Sequence, residues 1–316
     1  RLMAIRILEK NNYIQPQLEY EEGTSLPYLL QNARRGIFPD MQEKELEELK
    51  KQLGENKDNE AFARLLTHFC DSKTLISNIF GKISYRENYT ELLLPQNLLD
   101  QEGILDFIVT KNAITDEDYK QVELIGWLYQ YYISEKKQKV FDGFKNNIKA
   151  NEERLPAATQ FFTPEWIVRY MVENTVGSLW VNLYPNSDLN KKMDYYVKPS
   201  DENPKAEPII EDVTELTLLD PAAGSGHILV VGFEYLMEMY REEGYTARQS
   251  VENILRNNLY GLEIDERAAQ LARFAVLLKA AKYDKSILDG DKQPQIHSFP
   301  EKTEISTAEL REFLGG

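Results

Sequence analysis

Cysteine is nearly absent from this chain of 316 residues, the sole thiol being Cys70. One thiol cannot close an internal disulfide and no cysteine cluster exists to hold zinc, which favours a reducing, cytoplasmic setting. Cys70 sits in the apolar stretch from Leu65 to Cys70 and reads as a packing residue. Long hydrophobic runs are also missing. The longest, such as Phe274-Ala275-Val276-Leu277-Leu278, fall far short of the roughly 18 apolar residues that cross a bilayer, and the first residues carry no secretory pattern, so no membrane role is expected. Positive charge is scarce: 37 Lys and Arg face 52 Asp and Glu, a net charge of −15 with histidine neutral. That balance fits poorly with nucleic-acid binding, where affinity comes largely from Lys and Arg releasing counterions from phosphates. What is present suffices for a core. Apolar residues at 42% and charged residues at 28% exclude global disorder and a collagen-like fibre, and the length allows one large domain or two ordinary ones.

Residues 1–155 read as a mostly helical N-terminal domain. Leu46, Leu49 and Leu53 recur at helical spacing in the charged stretch Met41 to Leu53, and the polar run Gly54 to Asn59 breaks it. A clear helix is expected after Thr115-Asp116-Glu117-Asp118, with Thr115 as cap, acids in the positive first turn, and Leu124, Trp127, Leu128 and Tyr131 on a buried face. It runs into Lys136, Lys137, Lys139, Lys145 and Lys149, opposed only by Asp142. This basic strip reads as a solvated helical face, a phosphate contact being the alternative. Residues 156–316 form the second domain, interrupted over 184–214 by a stretch with Pro185, Pro199, Pro204 and Pro208 and few apolar anchors, expected to be a surface insertion. There is no internal repeat and no low-complexity tract.

The chemistry-bearing pattern lies in this second part. Glu215 to Asp220 is a short apolar run ending in a carboxylate; Pro221-Ala222-Ala223-Gly224-Ser225-Gly226 follows, and from His227 the sequence has helical periodicity. Strand, tight glycine turn and helix place a ligand at the carboxyl edge of a doubly wound sheet, with free N–H groups at the helix start for an anionic group. The third glycine of the dinucleotide fingerprint is replaced, and Glu263 stands further on than the ribose acid of a nicotinamide enzyme, which disfavours a dehydrogenase. Thr246-Ala247-Arg248-Gln249 explains the delay: it is a capping box that starts an extra helix, roughly Ala247 to Arg256. A second strand, Leu259 to Ile264, ends in Glu263, whose carboxylate suits a pair of ribose hydroxyls. Asp265 reads as the cap of a helix over Glu266 to Lys282, and Gln295 to Phe299 as a third strand. Upstream, Thr163-Pro164-Glu165 reads as a helix start with Thr163 at the cap and Pro164 in the first helical position.

At these positions the chain resembles the gamma-class adenine-N6 DNA methyltransferases. Phe162-Thr163-Pro164 resembles their N-terminal cofactor motif, Asp220 to Gly226 their glycine motif, and Gly261-Leu262-Glu263-Ile264-Asp265 their ribose motif, in the same order. The longer wording, with Gly126-Trp127-Leu128-Tyr129-Gln130-Tyr131-Tyr132, Ser134-Glu135-Lys136-Lys137 and Pro156-Ala157-Ala158-Thr159-Gln160, looks most like the PglX-like methyltransferases of BREX phage-defence systems, related restriction-modification enzymes remaining open. The resemblance covers about residues 122 to 283. It implies a partial Rossmann-like α/β core that binds S-adenosylmethionine. Thr163 would contact the methionine carboxylate; Asp220, Pro221 and the backbone from Ala222 through Gly224 to Gly226 would line the methionine and ribose; Glu263 would hold the ribose hydroxyls. Ile264 would pack on the cofactor adenine, and Phe161 or Phe162 on the pocket wall, unless they are core residues.

The family's further motif, Asn/Asp/Ser-Pro-Pro-Tyr/Phe, grips the target amine and stacks on the flipped base. The sequence has no Pro-Pro pair, and Asn203-Pro204-Lys205 precedes the glycine motif without the second proline or the ring. The expectation is therefore an N-terminal piece of a longer enzyme, unable to methylate DNA alone, whose duplex-DNA contacts lie mainly in another region. No catalytic residue and no metal site is expected here. His227, at the helix start, is disfavoured as a general base, and His68 and His297 suggest no site. The competing reading is a non-catalytic cofactor-binding or partner-docking module of a defence complex.

Overall fold

The computed structural model describes residues 1–83, 94–110, 114–149, 158, 163–198, 210 and 212–299. Up to residue 149 its regular elements are helical: α1 (Leu2–Lys10), α2 (Tyr28–Arg34), α3 (Glu43–Gly54), α4 (Asp58–Ser72), α5 (Thr74–Phe80), α6 (Ile104–Thr110) and α7 (Leu124–Lys145). The helix expected over Met41 to Leu53 is α3. The one expected from Thr115 begins only at Leu124. Thr115 does close a turn, its amide and hydroxyl donating to Asp118 Oδ2 at 2.8 and 2.6 Å. Only a single 3₁₀ turn, Asp118–Lys120, follows it: Tyr119 and Val122 are drawn into the core, and Asn11 Nδ2 donates to the Tyr119 carbonyl at 2.7 Å. On α7 the buried positions are Leu124, Ile125, Gly126, Ile133 and Val140, whereas Tyr131 is exposed.

The second part adds α8 (Glu165–Val172), a π-helical turn (Glu173–Gly177), α9 (Ser178–Leu183), β1 (Leu218–Asp220), α10 (His227–Glu242), α11 (Ala247–Asn253), a second π-helical turn (Ile254–Asn258), β2 (Leu259–Glu263), α12 (Glu266–Ala281) and β3 (Gln295–Ser298). The fold class is mixed α/β, mostly helical with a small parallel sheet of order β1-β2-β3. In the register, Leu218 pairs Leu259, Asp220 pairs Gly261 and Glu263 pairs Ser298. The capping box at Thr246 and Gln249 forms, and Asp265 Oδ1 caps α12 by accepting from Arg267 N at 2.9 Å.

Helices α10 and α12 cover the sheet face that carries Leu218, Leu259, Gly261 and Ile296. A Cβ on Gly232 of α10 would collide with Leu218, and one on Gly261 would stand 2.9 Å from Leu229 Cδ1, so two absent side chains let helix and sheet meet. By strand alternation Leu219, Ile264 and Phe299 share the opposite side, where they are 55%, 49% and 56% exposed. Buried apolar side chains from Ala4 to Ile296 form one cluster. No helix of the described residues is long and apolar enough to cross a membrane.

The stretch expected to be a surface insertion is partly anchored. Leu189 and Met193 are buried, and Glu242 accepts from Ser187 Oγ at 2.6 Å, Trp180 Nε1 at 2.9 Å and Leu189 N at 3.1 Å. Two apolar residues and one carboxylate are enough to tie it to α10. Pro199, Pro204 and Pro208 lie outside the described residues, as do the domain boundary at 155–156 and the chain beyond 299.

Candidate functional site

The carboxyl ends of β1 and β2 meet at the glycine turn. Gly224 and Gly226 have φ of +53° and +87°, the left-handed region that a side chain disfavours. Gly226 is also pressed on α12: a Cβ there would lie 2.9 Å from both Cα and Cβ of Ala272. At Gly224 no atom stands within 4 Å of such a Cβ, so the outer side of the turn is open to a ligand. The turn is clamped to β2 by Ala223 N donating to the Leu262 carbonyl at 2.9 Å.

Glu263 joins the two strand ends. Only 7% exposed, it accepts from Gly224 N at 2.6 Å on Oε2 and from Ile264 N at 2.8 Å and Asp265 N at 3.0 Å on Oε1. Asp220, also buried, accepts from Ala222 N at 3.1 Å on Oδ1. Burial raises its pKa above the usual aspartate value; the Ala222 amide opposes this and the Glu263 charge adds to it. Two carboxylates are thus set in a rim of backbone donors, with Ile264 half-open beside them.

Thr163 approaches through its backbone. The sequence reading put it at the helix cap; instead Pro164, with ψ of 144°, is the cap residue and α8 starts at Glu165, so the Thr163 hydroxyl stands one position too early to cap. The Thr163 backbone lies close enough to the imidazole of His227, the first residue of α10, to favour its charged form. Burial lowers the His227 pKa, while Glu123, the Thr163 backbone and Glu165 act in the opposite sense, and Arg169 adds to the lowering. Thr163, Asp220, Pro221, Ala222, Gly224, Gly226, Glu263 and Ile264 therefore belong to one end of the sheet. Phe161 and Phe162 lie outside the described residues. Among the described residues no group of His, Cys, Asp and Glu could hold a metal ion.

The contribution of α7 is not announced by any local motif. A Cβ on Gly126 would sit 2.7 Å from Ser225 Oγ in the glycine turn, and the Tyr129 hydroxyl donates to Asp265 Oδ2. The available signal was a glycine inside an otherwise strong helix, a costly choice unless something must approach closely.

A turn, two acids and a helix start thus meet at one corner of the sheet, and residues 196–308, which include that corner, match the family described as MmeI, DNA-methyltransferase domain. Two relatives extend the likeness over nearly the whole chain. The adenine-specific methyltransferase BrxX of Escherichia coli O9:H4 (strain HS) is 38% identical over 98% of this chain and 26% of its own length. The adenine-specific methyltransferase PglX of Lacticaseibacillus casei (strain Zhang) is 30% identical over 100% of this chain and 27% of its own length. The chain is a homologue of these PglX-like adenine-specific methyltransferases and spans about a quarter of their length.

Proposed function

We propose that this chain is the S-adenosylmethionine-binding portion of an adenine-N6 DNA methyltransferase acting in phage defence or restriction-modification, and that β1 to β3 with α10 and α12 begin its Rossmann-like core. The observation that carries this is the Gly224 amide on the Glu263 carboxylate, which makes the glycine turn and the acid after β2 one surface. The open side of Gly224, the backbone donors of the turn and two acceptor side chains fit a nucleoside with an amino-acid tail. When bound, the cofactor supplies an electrophilic methyl group. This chain's residues bind and orient it: Thr163 and the start of α10 toward the carboxylate tail, Asp220 and the turn along the methionine and ribose, Glu263 on the ribose hydroxyls, Ile264 on the adenine. A carboxylate offers about four acceptor sites, of which Glu263 already uses three. Accepting two hydroxyls therefore requires release of one of these three backbone amides.

Duplex DNA, any defence-system partner and methyl transfer itself would engage the rest of such an enzyme, since residues 1–316 contain no Pro-Pro motif to grip the target amine. Calorimetry tests the cofactor reading. S-adenosylmethionine should bind, and Asp220→Ala and Glu263→Ala should each weaken it by at least about tenfold, the loss of a charged hydrogen-bonding partner. Tighter binding of NAD overturns it. The saturation of Glu263 by its own backbone favours a second reading, in which the acid only staples the turn; that reading holds if the wild-type chain binds no cofactor while Glu263→Ala lowers its melting temperature.

A further inference from the structure

We propose that Tyr129 of α7 is a positioning residue for the nucleoside, holding the ribose-facing acid in register from the helical half of the chain; this rests on the cofactor reading above. Two bonds connect the hydroxyl to the acid through Asp265, and a third fixes Asp265 itself. Tyr129 donates to Asp265 Oδ2; Asp265 Oδ1 accepts from Arg267 N at 2.9 Å; and Asp265 N donates to Glu263 Oε1 at 3.0 Å. Asp265 is thus held at one oxygen by α12 and at the other by α7, and its amide aims the Glu263 carboxylate. One helical turn earlier, on the same side of α7, Gly126 leaves space that Ser225 occupies. The helix therefore bears on the glycine turn and on the acid together. Tyr132, one turn further on, stacks on the Tyr129 ring with centroids 6.4 Å apart and planes at 25°, which restricts its swing. Burial, then the Asp265 hydrogen bond and charge, raise the Tyr129 pKa, with the Glu263 charge adding and Arg267 opposing, so the hydroxyl stays a donor throughout the neutral range.

Without that hydroxyl Asp265 keeps its cap but loses its second anchor, and the acid behind it loosens. The consequence is confined to ligands that use the ribose hydroxyls. The test is calorimetric titration of the 316-residue chain with S-adenosylhomocysteine and with its 2′-deoxy analogue. Tyr129→Phe should weaken the parent ligand by about tenfold, one charge-assisted hydrogen bond's worth, and the deoxy analogue by less than about threefold. Asp265→Ser keeps a capping side chain but removes the partner of Tyr129; it should reproduce the loss, and the double variant should add nothing to it. Equal weakening of both ligands marks a general packing role and overturns the proposal, as does unchanged binding of the parent. No binding of either ligand by the wild-type chain overturns the cofactor reading and this inference together; binding by the wild type with an indifferent Tyr129→Phe overturns this inference alone.

Discussion

Asp220 is a carboxylate placed where water is scarce, and its raised pKa fixes the sign of its effect on stability. A group whose native pKa lies above its unfolded one disfavours folding when ionised; the cost is full above the native value and disappears as pH falls below the unfolded value, near 4. Asp220→Asn keeps an acceptor for the Ala222 amide and is never charged. Its melting temperature should therefore exceed the wild-type value at pH 7 and converge on it toward pH 4, readable by calorimetric scans across that range. Gly226 makes the opposite demand. With φ of +87° and Ala272 against its Cα, Gly226→Ala should cost on the order of 2 kcal/mol, measurable by urea titration. At this scale the sequence was legible where partners are neighbours, as at Thr246 with Gln249 and Asp265 with the amide of Arg267. It was off by one at Thr163, because the extended ψ of Pro164 moves the helix start. The bond between Gly224 and Glu263 closes over 39 residues of chain, and no local rule announces it.

Elements were read well wherever periodicity and punctuation agreed: β2, β3, α3 and α12 fall close to their expected bounds. The two π-helical turns were not, since one extra residue per turn hardly disturbs apolar spacing. The turn before β2 holds Asn258, fully buried, which donates to the carbonyls of Val213 and Leu216 at 2.8 and 2.6 Å and accepts from Tyr240 Oη at 2.8 Å. One amide thereby sets the approach to β1 beside the approach to β2. Asn258→Ala should cost about 3 kcal/mol, the sum of three net hydrogen bonds with their partners left buried, and hydrogen exchange should show β1 opening before α12. The late start of α7 was illegible for another reason. Tyr119 and Val122 are called into the core by α1, more than a hundred residues from Tyr119 at the Asn11 contact, and tertiary burial overrode a sound local cap.

On the whole-molecule scale, the acidic net charge of −15 keeps copies of the chain apart only until salt screens it. Any opposing attraction would be expected from the exposed apolar side chains Leu219, Ile264 and Phe299. Leu219→Glu should leave the melting temperature within about 2 °C of wild type, as expected of an exposed site, and reduce concentration-dependent association in sedimentation runs at high salt.

Ile264 belongs to that sheet side and, on the proposed cofactor reading, also borders the nucleoside, so one greasy edge would serve two competing neighbours. A cofactor lying on it would act as a dispersant: turbidity of concentrated solutions should fall as ligand is titrated in, and reappear when the ligand is dialysed away.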